Sequence, residues 1–335
     1  MTTTATRDRT PVTDALRDIQ APVRGLLDEV TLEMHRVVTS DLPMIEQVSG
    51  HLLRMRGKMF RPTLALLASD VVGRSQPRAV TLASVIELMH LATLVHDDSV
   101  DHSVLRRGLP TVNSLFSHQV SVIMGDFLYS RALRALVAMR DFEVLRIVTD
   151  VSNELTMGEM RQLGAIDALS FGEDEYTMLI RAKTASLLSA ACESGALCGA
   201  EEFRAPLARF GDRLGLAFQI VDDILDYTED QSVTGKPSGN DLREHKVTLP
   251  LIASLPCLSP AGRERVNALF TAEQPTDDLI HDVMAIVADA GGIEYARRRS
   301  ERYAEEAEEA LASVPASGAR TALAGAIAYV TDRRC

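Results

Sequence analysis

The chain has 335 residues, of which 46% are hydrophobic and only 4% aromatic, with no tryptophan; its formal charge is 35 − 47 = −12. That charge argues against nucleic acid as a partner, and the length allows a sizeable core in one large domain or two small ones. Apolar content rich in Ala, Leu, Val and Met favours helices over strands. The cysteines Cys192, Cys198, Cys257 and Cys335 form no CxxC pair and have no nearby His at metal-ligand spacing, so they read as reduced thiols of a cytoplasmic protein. Residues 1–10 are polar, lack the apolar stretch of a signal peptide, and read as a disordered tail. Arg181, Lys183 and Glu193 interrupt the longest apolar region, which predicts no membrane-spanning run.

Taken in order, the periodicity predicts a long amphipathic helix from Val12 to Val38, with Leu16, Ile19, Val23, Leu26, Leu27, Val30 and Met34 on one side. Pro43 opens a second helix, Gly57 ends it, and Pro62 opens a third over Thr63–Val72. Pro77 opens the helix that carries Asp97, Asp98 and Asp101, and Gly108 and Pro110 end the loop after it. Helices are predicted over Val120–Met139, Glu143–Leu163, Glu173–Leu197 and Ala205–Tyr227, then a loop Thr228–Glu244. Shorter helices follow over Val247–Leu255, Pro260–Leu269, Asp277–Ala290, Ile293–Ala312 and Gly318–Thr331. No stretch alternates as a strand would, and no linker divides 11–335. The expectation is one all-α domain. The charged run Glu301–Glu309 reads as a solvated helix face.

The stretch that organises the rest is Glu87–Gly108, ELMHLATLVHDDSVDHSVLRRG. Asp97, Asp98 and Asp101 stand at i, i+1 and i+4, so Asp97 and Asp101 share a helix face. Stacked carboxylates at the end of an apolar helix repel one another and call for a cation. Magnesium takes one or two carboxylates together with substrate phosphates, and the arginines Arg106 and Arg107 that follow suit phosphate. Alone, the pattern would also describe a solvated acidic helix end followed by a basic loop. It occurs twice, however: GLAFQIVDDILD repeats the spacing at Asp222, Asp223 and Asp226, and a basic, glycine-containing segment, Gly235–Lys246, again follows. Two such clusters facing each other would cage several Mg2+ ions around a diphosphate.

With GKMFRP (Gly57–Pro62) before the first cluster, RRG between, and GKPSGNDLRE then HKVTLPLI after the second, the chain resembles the trans-isoprenyl diphosphate synthases (polyprenyl synthase family). The resemblance implies the isoprenoid-synthase fold, with helices around a deep apolar cavity and both clusters at its mouth. It implies the head-to-tail condensation of isopentenyl diphosphate with an allylic diphosphate. Asp97, Asp98, Asp101, Asp222, Asp223 and Asp226 are then the metal set, led by Asp97, Asp101 and Asp222. Arg106, Lys183 and Lys236 would hold the allylic diphosphate, with Thr184 and Gln219 turning oxygen dipoles toward the developing cation. Lys58, Arg61, His90 and Arg107 match the isopentenyl diphosphate site. A lysine such as Lys183, or a glutamine such as Gln219, could equally serve the surface or cap a buried carbonyl; Gln219 shares a face with Asp222 three residues on. Family members are usually homodimers, and a transient membrane contact would serve product release.

Two departures stand out: Met59 takes a usually basic position, and His245 replaces the usual glycine. Chain length is expected to be set below Asp97 on its helix, through Thr93, then Met89 and His90, then Ile86 and Leu82, one turn of about 5.4 Å at a time. Ala92 and Thr93 are small where short-chain members often carry aromatics, and Met89 is flexible. A medium-to-long all-trans product is expected. A farnesyl or geranylgeranyl synthase, a subunit of a two-component synthase, and a terpene cyclase remain as alternatives. A cyclase would need no isopentenyl site, and non-catalytic subunits usually lose an aspartate cluster.

Overall fold

The computed structural model describes residues 12–55, 57–163, 170–228 and 238–332. The expected N-terminal tail, Lys236 and Cys335 lie outside the described residues. The chain opens with α1 (Val12–Gln20) and α2 (Arg24–Val38), joined by a 3-10 turn at Ala21–Val23. The single helix expected there is broken because Pro22 has no amide hydrogen to give. Next come α3 (Pro43–Arg54), α4 (Phe60–Asp70) and α5 (Arg78–Val100). The fourth helix starts before Pro62, at Phe60, after Met59 in the left-handed region (φ 53°).

Helix α5 is apolar on every side, the pattern of a helix enclosed by others. It is long and apolar enough to cross a membrane by composition, contrary to the expectation that no run reaches that length. It packs instead against α2, α4, α7 (His118–Ala138) and α10 (Ser186–Leu197), and Leu82, Val85, Ile86 and Leu88 are wholly buried. Helices α8 (Phe142–Leu163), α9 (Glu173–Ile180) and α11 (Arg204–Thr228) complete this part of the bundle. The predicted continuous helix from Glu173 to Leu197 is interrupted by a π turn at Arg181–Ala185. A side chain at Gly215 would start 2.5 Å from the Cα of Ala185, so glycine lets α11 close on that turn. Helices Leu249–Ser254, Pro260–Thr271, Asp277–Asp289, Gly292–Leu311 and Gly318–Thr331 follow. Gly292–Leu311 lies along α11, and Gly318–Thr331 reaches back to α1 and α4.

Among the described residues the strands are a two-residue ribbon, Leu105–Arg106 against Leu109–Pro110. Arg107 (φ 53°) and Gly108 (φ 76°) form its turn, and the short helix α6 (Val112–Leu115) follows it. A two-residue hairpin of this hand needs positive φ at both positions, which gives Gly108 its role. The larger apolar core joins the helices from α1 to α11 with the last two. A smaller one lies under Tyr227, Leu242, Leu251 and Val283.

Candidate active site

The first aspartate cluster forms the C-terminal turn of α5. Asp98 is buried, and Arg106 of the ribbon donates from Nε to both its carboxylate oxygens at 2.7 and 2.9 Å. Arg106 is thus held beside the cluster by Asp98. Asp97 is half-buried, and its carboxyl is pushed up to about 6, chiefly by burial and by Glu159, with Asp101 adding and Lys183 opposing. Asp101 is exposed and ends the helix, its amide donating to the carbonyl of Asp97 at 2.8 Å. Across from them, α8 presents Glu159 and Gln162, which grip the ammonium of Lys183 at 2.8 and 2.5 Å. Lys183 sits in the π turn, and widened turns of this kind often occur at functional sites.

The second cluster ends α11. Asp222 is exposed. Asp223 is buried and accepts 2.5 Å from the Tyr176 hydroxyl and 2.8 Å from Gln219 Nε2. Thr184 donates to Gln219 Oε1 at 2.7 Å, so the two groups expected to face a developing cation engage one another. Burial, and then the charge of Asp241, drives the Asp223 carboxyl well up, while its two hydrogen bonds oppose the shift. Asp226 accepts from the backbone amides of Asn240 and Asp241 at 3.0 and 2.9 Å and so anchors the segment after the cluster. Asp241 is itself pushed up by burial and by Asp226. Lys246 bonds Glu244 at 2.5 Å and lies within electrostatic reach of both Asp241 and Asp101. The two clusters therefore border one acidic space.

His245 adopts φ 57°, the conformation that favours glycine. Its ring compensates, with Nε2 2.9 Å from the Ala272 carbonyl and the imidazole tilted on Phe270 at 5.9 Å. The departure at this position thus leaves the backbone path intact.

Beside α5 lies a basic group. Arg61, Arg107 and His90 act on one another there, with the buried acid Glu87 among them. Burial and the charges of Arg61, Arg107 and Arg106 hold His90 well below the usual histidine range, so it is neutral at neutral pH. The Nε of Arg61 is buried with no partner, a donor that an anion would satisfy. Arg107 donates to the Met55 carbonyl at 2.7 Å, and its guanidinium lies 2.5 Å from where a side chain at Gly57 would begin. Lys58 lies instead over the Tyr329 ring, 5.6 Å from its centre.

Of the length-setting residues, Ala92 is buried and Thr93 donates to the His90 carbonyl at 2.8 Å. Met89 lines a narrow cavity with Tyr129, Leu133, Leu136 and Val148 of α7 and α8. Met89 and His90, counted together as one step of the expected ruler, thus face different sides of α5, and only Met89 meets the apolar cavity. A wider open cleft between Cys257 and Ala290 includes none of the predicted residues. Sequence reasoning missed Tyr176, Glu159, Gln162, Glu87 and Asp241. Only Asp241 carried a signal, its place inside GKPSGNDLRE.

The chain was compared with known proteins. The family model for polyprenyl synthetase matches residues 42–287. An all-trans-nonaprenyl-diphosphate synthase (geranyl-diphosphate specific) of Rhodobacter capsulatus is 38% identical over 96% of this chain and 98% of its own length. The octaprenyl diphosphate synthase of Escherichia coli is 36% identical over 89% of this chain and 92% of its own. A crystal structure of a polyprenyl synthase from Caulobacter crescentus, complexed with calcium and isoprenyl diphosphate, superposes with a TM-score of 0.88 at 32% identity, covering 98% of this chain and 100% of that one. The all-α bundle is therefore the isoprenoid-synthase fold, and the chain belongs to the polyprenyl synthetase family of prenyl-transferring enzymes.

Proposed function

We propose that this enzyme joins isopentenyl diphosphate to an allylic diphosphate, repeatedly and with Mg2+, to make a medium-to-long all-trans polyprenyl diphosphate. The observation that supports the reading most is that Asp101 of the first cluster and Asp241 beside the second both lie within electrostatic reach of Lys246, with Arg61, Arg107 and His90 grouped beside α5. The carboxylates fit a divalent ion, because burial and neighbouring acids push Asp97 (Glu159 and Asp101) and Asp241 (Asp226) up, and a cation would relieve such a carboxyl. Asp97, Asp101 and Asp222 would hold it, and Mg2+ bound there offsets the charge that gathers on the diphosphate as the allylic C–O bond breaks.

The chain's own groups do the rest. Arg106 and Lys183 stand beside the first cluster, placed to hold the allylic diphosphate, and Lys236 is proposed for the same work. Asp98 aims Arg106, and Asp223 aims Gln219, so these two aspartates act through a neighbour. Thr184 and Gln219 would turn toward the cation once the substrate enters. Arg61, Arg107 and neutral His90, with Lys58 swinging off Tyr329, would receive isopentenyl diphosphate. Long-chain names among the relatives and the small residues Ala92 and Thr93 above Met89 support a long product.

A cytoplasmic homodimer, with transient membrane contact for product release, completes the proposal. Helix α7 exposes Ile123, Tyr129, Leu133 and Val137, flanked by Asp126 and Arg134. Antiparallel pairing of two copies about Ser130 would set Asp126 level with the partner's Arg134.

Chromatography of the product made by the purified chain alone, from isopentenyl diphosphate and an allylic diphosphate with Mg2+, tests the reading. A product beyond geranylgeranyl length is expected. Thr93→Phe should shorten it while the first condensations continue. A wild-type product of farnesyl length, or none without a second subunit, would overturn the proposal.

A further inference from the structure

Two histidines unused by the reaction meet at the edge of the first cluster. His102 follows α5 in the left-handed region, φ 51°, and His118 opens α7. His102 Nδ1 and His118 Nε2 share a hydrogen bond at 3.2 Å, with the rings edge to face and their centres 4.7 Å apart. Ser99 Oγ lies 3.2 Å from the other nitrogen, His118 Nδ1. Both imidazoles are exposed to solvent. Histidines at a charged helix end are ordinarily only polar surface; the spacing here says more. Two nitrogens about 2.0–2.1 Å from one metal ion stand roughly 2.9 Å apart at a right angle and 3.4 Å apart in a tetrahedron. The observed separation falls inside that range.

We propose that His102 and His118 form a two-imidazole site for a transition-metal ion of the Zn2+ class, distinct from the aspartate cage. Imidazole suits Zn2+ and Ni2+, whereas Mg2+ prefers oxygen, so the two sites sort metals by chemistry. Ser99 accepting from His118 Nδ1–H leaves the Nε2 lone pair for the metal, the arrangement by which outer groups commonly orient metal-binding histidines. Without metal the His102 proton sits on Nδ1 and bonds His118 Nε2; the metal takes its place between the nitrogens, and the His102 proton moves to Nε2 through solvent, so both rings stay neutral and no net proton is lost. Among the described residues no third His, Cys, Asp or Glu side chain joins His102 and His118 as a ligand, so water fills the other positions. A metal here ties the end of α5 to the start of α7. It thereby braces the intervening segment that carries Arg106 and Arg107.

The test is calorimetric titration of Zn2+ into the purified enzyme in saturating Mg2+, with zinc-edge anomalous diffraction on wild-type crystals to locate the ion. One Zn2+ per chain between His102 and His118 is expected. His102→Asn and His118→Asn should each weaken binding tenfold or more, and Ser99→Ala about tenfold, with Mg2+-dependent turnover kept. Zn2+ should raise the thermal midpoint of the wild type and of neither histidine variant. Zinc density only at the aspartates, or binding lost with His96→Asn and kept in both histidine variants, would overturn the proposal.

Discussion

The two aspartate clusters have the same spacing and different surroundings. In each, the second aspartate is the buried one. Asp98 of the first is neutralised by a cation, Arg106, whereas Asp223 of the second is held by two uncharged donors, Tyr176 and Gln219. The third aspartates differ as well: Asp101 is exposed at the helix end, and Asp226 is committed to the backbone amides of Asn240 and Asp241. The first cluster thus keeps two carboxylates, Asp97 and Asp101, for a ligand. The second exposes Asp222 and commits its other two to architecture. A repeated motif need not mean repeated roles, because what each carboxylate does depends on which donors reach it.

The comparison breaks most sharply at the outward carboxylates. Asp97→Ala and Asp222→Ala should each lower turnover on the order of 10²-fold or more, several kcal/mol of barrier. Steady-state rates at saturating Mg2+ check this, and near wild-type turnover in either variant would remove that residue from the metal set. At the buried aspartates, Arg106→Ala removes the cation beside Asp98 and should cost about 3 kcal/mol of stability. Tyr176→Phe leaves Asp223 with Gln219 and should cost nearer 1–2 kcal/mol. Urea denaturation of both variants decides, and equal losses would mean that the two environments are equivalent.

Asp97 permits a pH experiment. Its folded carboxyl titrates near 6, above the unfolded value of 3.8. A raised acid binds protons in the folded state, so it favours folding at low pH, and that contribution is lost as pH rises through 6. Asp97→Asn should therefore stabilise the metal-free enzyme above pH 7, on the order of 2 kcal/mol, with the gain shrinking toward pH 4. Added Mg2+ should favour the wild type and erase the difference. Denaturation across pH in a chelator reads this, and a variant less stable than wild type at pH 8 would contradict it.

The smallest effect belongs to the basic group beside α5. Gly57→Ala should displace the Arg107 guanidinium and raise the KM for isopentenyl diphosphate several-fold, about 1 kcal/mol, leaving that of the allylic substrate unchanged. Equal changes in both constants would mean that the two diphosphates are not held apart as proposed.

The covalent chain alone determined the helical class, the elements that carry the motifs, and the order of GKMFRP, the two aspartate clusters, RRG and GKPSGNDLRE. These are matters of local spacing, and an i, i+4 pair shares a helix face whatever surrounds it. Even locally some features were lost: Pro22 breaks the first helix, and the π turn at Arg181–Ala185 has no periodic signature. Tertiary structure alone decided which carboxylates are spent. Tyr176 meets Asp223 across 47 positions, Lys183 meets Glu159 across 24, and Arg107 reaches Met55 across 52. It also decided that His90 is neutral and that Met89 turns from it to the apolar cavity. Charge state and direction depend on burial and on neighbours brought together by packing, and those separations leave no mark on spacing along the chain.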